Sequence, residues 1–268
     1  MGVKPMVLSF SCINGVIILV CSSIHNLKRE MNRVSNAVAP ILDMVRKMLQ
    51  NNDPHEKILS FLDSSLPNVY SALLRDEILS CKACGLHECN HTPFIGNIYS
   101  EIMMVGEAPG EQEEKQGEPF VGPAGELFTR MLTAAAEKIN PRWARDNVYI
   151  TNTIKCRPKD GKSNRQPELR EIAACKSILD REISIVKPKV IICVGAVAAN
   201  TLIHPNFKIT EEHGHMFGDK TKLVAIYHPS YVLHRGEDTE EGIKLKNEMW
   251  EDLIAINDYL EAIKNEKV

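Results

Sequence analysis

The sequence predicts an α/β protein: three α/β/α layers around a central, mostly parallel four-stranded sheet, preceded by an N-terminal helical extension. Three observations predict it. From residue 81 onward, apolar runs of strand length alternate with amphipathic segments of helical period. Those runs are continuously apolar, as in strands covered on both faces. Residues 38–80 place their apolar side chains at helical spacing and carry no strand signal.

The elements follow in order. APILDMVRKML and VYSALLRDEIL have helical periodicity. EIMMV reads as the first strand and leads through a Gly-rich turn into PAGELFTRMLTAAAEKI, where Leu127, Met131, Leu132 and Ala135 share a face. NVYITNTI reads as the second strand; a long basic loop follows, then a helix with Leu169, Ile172, Leu179 and Ile183 on one side. KVIICVG, the third strand, continues into AVAANTLI, and KLVAIYHPS precedes a last helix with Leu245, Met249, Leu253, Ile256 and Leu260 on its apolar face. Residues 1–30 read as an apolar leader, or as an extension upstream of a start at Met31. Residues 31–77 then form the helical extension and 78–268 the α/β domain.

Composition sets limits. With 44% hydrophobic and 25% charged residues the 268-residue chain is neither disordered nor fibrous. A net charge of −3 gives no global attraction to nucleic acid, so any such attraction is local. Of eight cysteines, Cys12, Cys21 and Cys193 lie in apolar runs and read as small core residues. Cys81, Cys84, Cys89, Cys156 and Cys175 lie in polar surroundings and call for a chemical account.

In parallel sheets the ligand sits beyond the carboxyl ends of the strands. There the sequence places Glu107 after the first strand, Asn152 at the end of the second and His228 after the fourth: a carboxylate, an amide and an imidazole. The first turn, GEAPGEQEEKQGEPFVGPAG, holds five acidic residues and lacks the spacing of a phosphate-binding loop, which argues against a nucleotide triphosphate site. Cys81-x2-Cys84 is a chelating pair, and with Cys156 and Cys175 it suits either tetrahedral zinc or an iron–sulfur cluster. Lys155, Arg157, Lys159, Lys162, Arg165 and Arg170 form a local basic patch suited to a polyanion. Tyr231, Leu233 and Arg235, after His228, are of the types that wedge into a base stack and hold a backbone.

The combination of GEAPGEQEEKQGEPFVGPAG, TNTIKCRP, NRQP, VGAVAA and HPSYVLHR with the two cysteine pairs resembles the family 4, iron–sulfur uracil-DNA glycosylases over roughly residues 78–262. The resemblance implies a DNA repair hydrolase acting in base excision repair. In it Glu107 would be the carboxylate at the sugar and attacking water, and His228 the donor to uracil O2. Phe120 would stack on the flipped base, Asn152 would read its edge, Ala108 would line its site, and Glu113 would sit near C5 to reject thymine. Cys81, Cys84, Cys156 and Cys175 would hold a [4Fe-4S] cluster, with zinc as the less expected occupant, and Arg157, Lys159, Arg165, Tyr231, Leu233 and Arg235 would face DNA. Two features depart from the pattern: Cys89 adds a fifth thiol, and KDGKSNRQP is longer than the family's loop. KQGEPFVG runs without the His-bearing insertion of covalent uracil-binding relatives, which implies turnover.

The expected partner is uracil-containing DNA, single- or double-stranded, with no membrane. The expected state is a cytoplasmic monomer, the thiols requiring a reducing compartment, with residues 31–80 available to a replication or repair partner. The alternatives are a non-catalytic glycosylase-like DNA-binding module and an enzyme of the same fold acting on another damaged base.

Overall fold

The computed structural model describes residues 39–51 and 53–266; the leader or alternative start expected over residues 1–30 lies outside them. The described chain falls into two compact units that part between Leu62 and Asp63. The first holds helix α1 (Ala39–Gln50) and the start of α2 (His55–Leu79), with Met48 and Ile58 buried.

The second unit is built on a five-stranded sheet in the order β1-β3-β2-β6-β7. Its four long strands are β2 (Ile102–Gly106), β3 (Tyr149–Asn152), β6 (Val190–Val194) and β7 (Lys222–Ile226), all mutually parallel. They are the four that the apolar runs predict. The expected count of four is corrected by a fifth, β1 (Ile95–Gly96), which lies antiparallel against Tyr149 and Ile150. Two residues are too few to show an apolar period.

Alternation of side chains across the sheet makes two cores. Ile102, Met104, Ile150, Ile192 and Ile226 pack on one face with helices α4 (Pro123–Lys138) and α9 (Glu240–Asn265), which contribute Leu132, Met249 and Leu253. Met103, Val105, Tyr149, Ile191 and Cys193 pack on the other with α5 (Leu169–Val186), α6 (Ala196–Leu202) and the end of α2. The result is the expected α/β/α layering. On α5 the predicted face is corrected: Leu169, its first residue, is 85% exposed, whereas Glu171 in the same turn is buried. The buried stripe instead runs through Glu171, Cys175, Ile178, Leu179, Glu182 and Val186.

Local signals account for the breaks. Gly122 and Pro123 start α4, and Lys187, left-handed at φ 50°, ends α5 just before Pro188. The long basic loop contains a small hairpin, β4 (Lys159–Asp160) against β5 (Ser163–Asn164). Short helices α3 (Glu111–Gln116), α7 (Ile209–Glu212) and α8 (Pro229–Arg235) complete the unit. Among the described residues no helix is long and apolar enough to cross a membrane.

Candidate active site

Strand β3 lies to one side of β2 and β6 to the other, so the chain reverses direction between β2 and β6, where such sheets open a crevice. A cleft of about 590 Å³ opens there, lined by Glu107, Asn152, Gly195 and His228 from the ends of the four parallel strands. Ala108, Glu113, Phe120 and Arg165 also line it. The sequence-predicted carboxylate, amide, imidazole and aromatic ring thus meet in one place.

Each polar group enters in a defined state. Glu107 has no hydrogen-bond partner for its carboxylate among the described residues, and burial pushes its carboxyl above the ordinary value of 4.5. Asn152 is 3% exposed, and its carboxamide is likewise unengaged by protein. Its backbone is fixed by pairing with Gly106. A Cβ at Gly106 would come within 2.4 Å of Asn152 Oδ1 and 2.6 Å of Phe120, so only glycine lets those two side chains meet there.

His228 is the N-cap of α8. Its Nδ1 accepts from the Ser230 backbone N–H at 3.2 Å and lies 2.7 Å from Ser230 Oγ. An acceptor Nδ1 puts the ring proton on Nε2. Burial pulls the imidazole down to about 4, so at neutral pH it is an uncharged Nε2–H donor. Gly195, at φ 99°, lies so close that a Cβ would stand 3.0 Å from His228 Cβ. Ser230 and Gly195 carry roles that the sequence reading did not assign. The only cue to either is position, in HPS and VGAVAA.

Phe120 sits at φ 56°, a conformation that is strained for a bulky side chain. Its ring stacks on Phe128 at 4.7 Å and lies 6.0 Å from the His228 ring. Arg145 donates to the carbonyls of Pro119 and Phe120 at 2.7 and 3.0 Å and to Thr129 Oγ1 at 3.0 Å, bracing the strained turn. No local signal marked Arg145. Glu113 accepts the N–H groups of Gly110, Val121 and Gly122 at 3.0, 2.9 and 2.7 Å, so its carboxylate both faces the cleft and closes the acidic turn.

The basic residues are largely engaged within the protein. Arg157 is 6% exposed and donates to Asn164, Glu114 and the Lys162 carbonyl. Lys159 pairs with Glu114 at 3.0 Å and Arg165 with Glu171 at 2.6 Å. Tyr231 and Leu233 pack against the core, and Arg235 lies over the Tyr231 ring at 5.1 Å. Of these six, Arg165 reaches the cleft wall.

Cys81, Cys84, Cys156 and Cys175 are free thiols, the last two buried. Cys175 is pushed up by burial, with Cys84 and Cys81 adding to the effect, and Cys156 also senses Cys175 and Cys84; the two sequence pairs lie within electrostatic reach of one another. Cys89 Sγ donates to the Leu86 carbonyl at 2.7 Å, and its interaction with the neighbouring Cys156 thiol draws Cys89 down and pushes Cys156 up. Among the described residues no three His, Cys, Asp or Glu side chains close on a single ion position. A gathering of thiols is the donor chemistry of a thiophilic centre.

Residues 93–254 match the profile of the Uracil DNA glycosylase superfamily. A Type-4 uracil-DNA glycosylase of Archaeoglobus fulgidus is 42% identical over 178 residues, 62% of this chain and 84% of that protein. Type-4 uracil-DNA glycosylases of Sulfurisphaera tokodaii and Thermotoga maritima are 41% and 36% identical, over 60% and 65% of this chain and 74% and 89% of theirs.

Proposed function

We propose that this chain, which belongs to the Uracil DNA glycosylase superfamily, is a DNA repair enzyme that flips uracil out of DNA and hydrolyses its N-glycosidic bond, leaving an abasic site. One observation carries the reading. A carboxylate, a carboxamide and a neutral imidazole, none of them spent on satisfying another strand, converge on one cleft beside an aromatic ring.

The chemistry assigns the roles. A base in a duplex is unreachable, so it must be extruded into a pocket that stacks and hydrogen-bonds it. Phe120 offers the stacking face. Asn152 pairs with O4 and N3–H of uracil, and the amino group of cytosine would meet the wrong partner. As the glycosidic bond lengthens, negative charge grows on uracil O2, and the His228 Nε2–H is a donor held ready for it. The Glu107 carboxylate faces the cationic sugar and orients water. Glu113, tied by three backbone N–H groups, is a rigid neighbour for C5 and excludes a methyl there.

Cys81, Cys84, Cys156 and Cys175 are the residues that would hold a [4Fe-4S] cluster, whose contribution is to organise the surrounding polypeptide without a redox step. Lys159, Arg165, Tyr231, Leu233 and Arg235 are read as the DNA-facing set; Arg157, expected with them, is corrected to an internal brace of the hairpin, since it is buried and its guanidinium is spent on Asn164, Glu114 and the Lys162 carbonyl. Residues 78–268 are read as the glycosylase domain of a cytosolic monomer and 31–77 as a helical extension, with residues 31–80 docking a replication or repair partner. The test of the function is uracil release from a single-uracil oligonucleotide with a thymine control. Release of uracil alone is expected; tight binding without release would favour the binding-module alternative.

A further inference from the structure

A buried charge pair that the chemistry above does not use lies directly behind Asn152. Lys155 and Glu182 are 1% and 0% exposed at their side chains, and their Nζ and Oε2 are 2.7 Å apart. The ammonium has three protons and three partners: Glu182 Oε2, Thr151 Oγ1 at 2.6 Å and the main-chain carbonyl of Asn152 at 2.6 Å. Edge strand β1 pairs only with Tyr149 and Ile150, so beyond them that side of β3 has no strand neighbour. The ammonium supplies the missing donor to Asn152 O. On the other side, the backbone N–H and hydroxyl of Thr153 donate to Gly106 O at 2.8 and 2.9 Å.

The opposite end of Lys155 is also held. Its carbonyl accepts from the Thr92 N–H at 2.7 Å, and its main chain lies close enough to the buried Cys175 to influence that thiol. Cys175 and Glu182 are two turns apart on the buried stripe of α5. One helix therefore holds the Lys155 side chain through Glu182 and carries Cys175 beside its main chain.

We infer that Lys155, held by Glu182, is a positioning residue that fixes the strand end carrying Asn152 and ties it through α5 to the cysteine site. This rests on the uracil-reading role of Asn152. A simple ion pair would not require two of the three ammonium protons to be directed at a site residue's carbonyl and at the hydroxyl of the residue before it. Removing one charge alone would strand the other in the interior and strongly destabilise the protein. The test is therefore the double variant Lys155→Met/Glu182→Gln, which leaves no buried charge and takes the donor from Asn152 O.

The experiment compares wild type and double variant in the full chain, purified anaerobically. It measures kcat and KM for uracil release, affinity for DNA carrying a stable abasic-site analogue, and visible iron–sulfur absorption. The expected result is a fall in kcat of roughly 100-fold, the usual cost of a small misplacement of a reacting group, with KM, abasic-site affinity and visible absorption within about twofold of wild type. Wild-type kcat in the double variant would overturn the inference. So would loss of abasic-site affinity and visible absorption in step with activity, which marks a fold-supporting pair. A wild-type protein that releases no uracil would bring down the functional reading and this inference with it.

Discussion

The two polar regions at the carboxyl end of the sheet use their charges in opposite ways. In the basic hairpin, nearly every charge is spent internally: Arg157 and Lys159 converge on Glu114, and Arg165 holds Glu171. In the cleft beside it, Glu107 is half-buried with no partner for its carboxylate, Asn152 presents a free amide, and His228 is forced neutral. Polar groups held in a cleft without protein partners are available to a ligand, and a carboxyl and an imidazole shifted by burial there mark a site of chemistry. The hairpin is built to hold its shape, and the cleft to act on something else.

Substitutions in the cleft should therefore damage activity far more than stability. Glu107→Gln should lower the excision rate by roughly 10³-fold, within the range for a positioned base, while thermal denaturation shows an equal or higher melting temperature. His228→Ala should cost about 10²–10³-fold in kcat, the loss of one preorganised donor to a developing oxyanion. Excision within a few-fold of wild type in both variants would erase the distinction between the regions.

Titration sharpens it. Glu107, raised above 4.5, gains its proton before His228 does, since His228 stays neutral down to about 4. The acid limb of the excision profile should thus lie above pH 4.5, and Glu107→Gln should abolish it. For stability the signs differ. His228 has its value depressed from 6.5 to about 4, so the unfolded chain binds the extra proton. Its share of stability is complete above pH 6.5 and falls by about 3 kcal/mol as pH drops to 4. Denaturant titrations of wild type and His228→Gln would show that slope and its loss. Glu107 works the other way, costing stability as pH rises through its raised value.

Much of this was legible in the sequence because parallel strands advertise themselves as apolar runs, and their ends locate the ligand. Glu107, Asn152 and His228 followed from that rule alone. Arg145 and Glu182 did not, since each meets its partners across a gap in sequence: Arg145 reaches Phe120, and Glu182 reaches Lys155. The basic patch was visible, whereas its internal pairing depended on Glu114 arriving from another segment. The exposed Leu169 shows apolar periodicity misplacing the buried stripe of a helix whose first turn is anchored by the charged Glu171, held by Arg165.

Smaller effects belong to the paired groups. Glu113→Gln should destabilise the acidic turn by about 1–3 kcal/mol, because an amide cannot accept three N–H groups as a carboxylate does. Glu114→Gln should change excision only a few-fold, with salt dependence of DNA binding altered as Lys159 is freed. A larger effect of Glu114→Gln than of Glu107→Gln would reverse the assignment of the two regions.

The most direct measurement is the rate of uracil release from one labelled oligonucleotide by wild type and Asn152→Ala, with thymine in the same position as control. The account predicts release of uracil by wild type, none of thymine, and a fall of roughly 100-fold or more in the variant, whose folding is checked by its melting curve. Unaltered release by a folded Asn152→Ala protein, or no release by wild type, would contradict it.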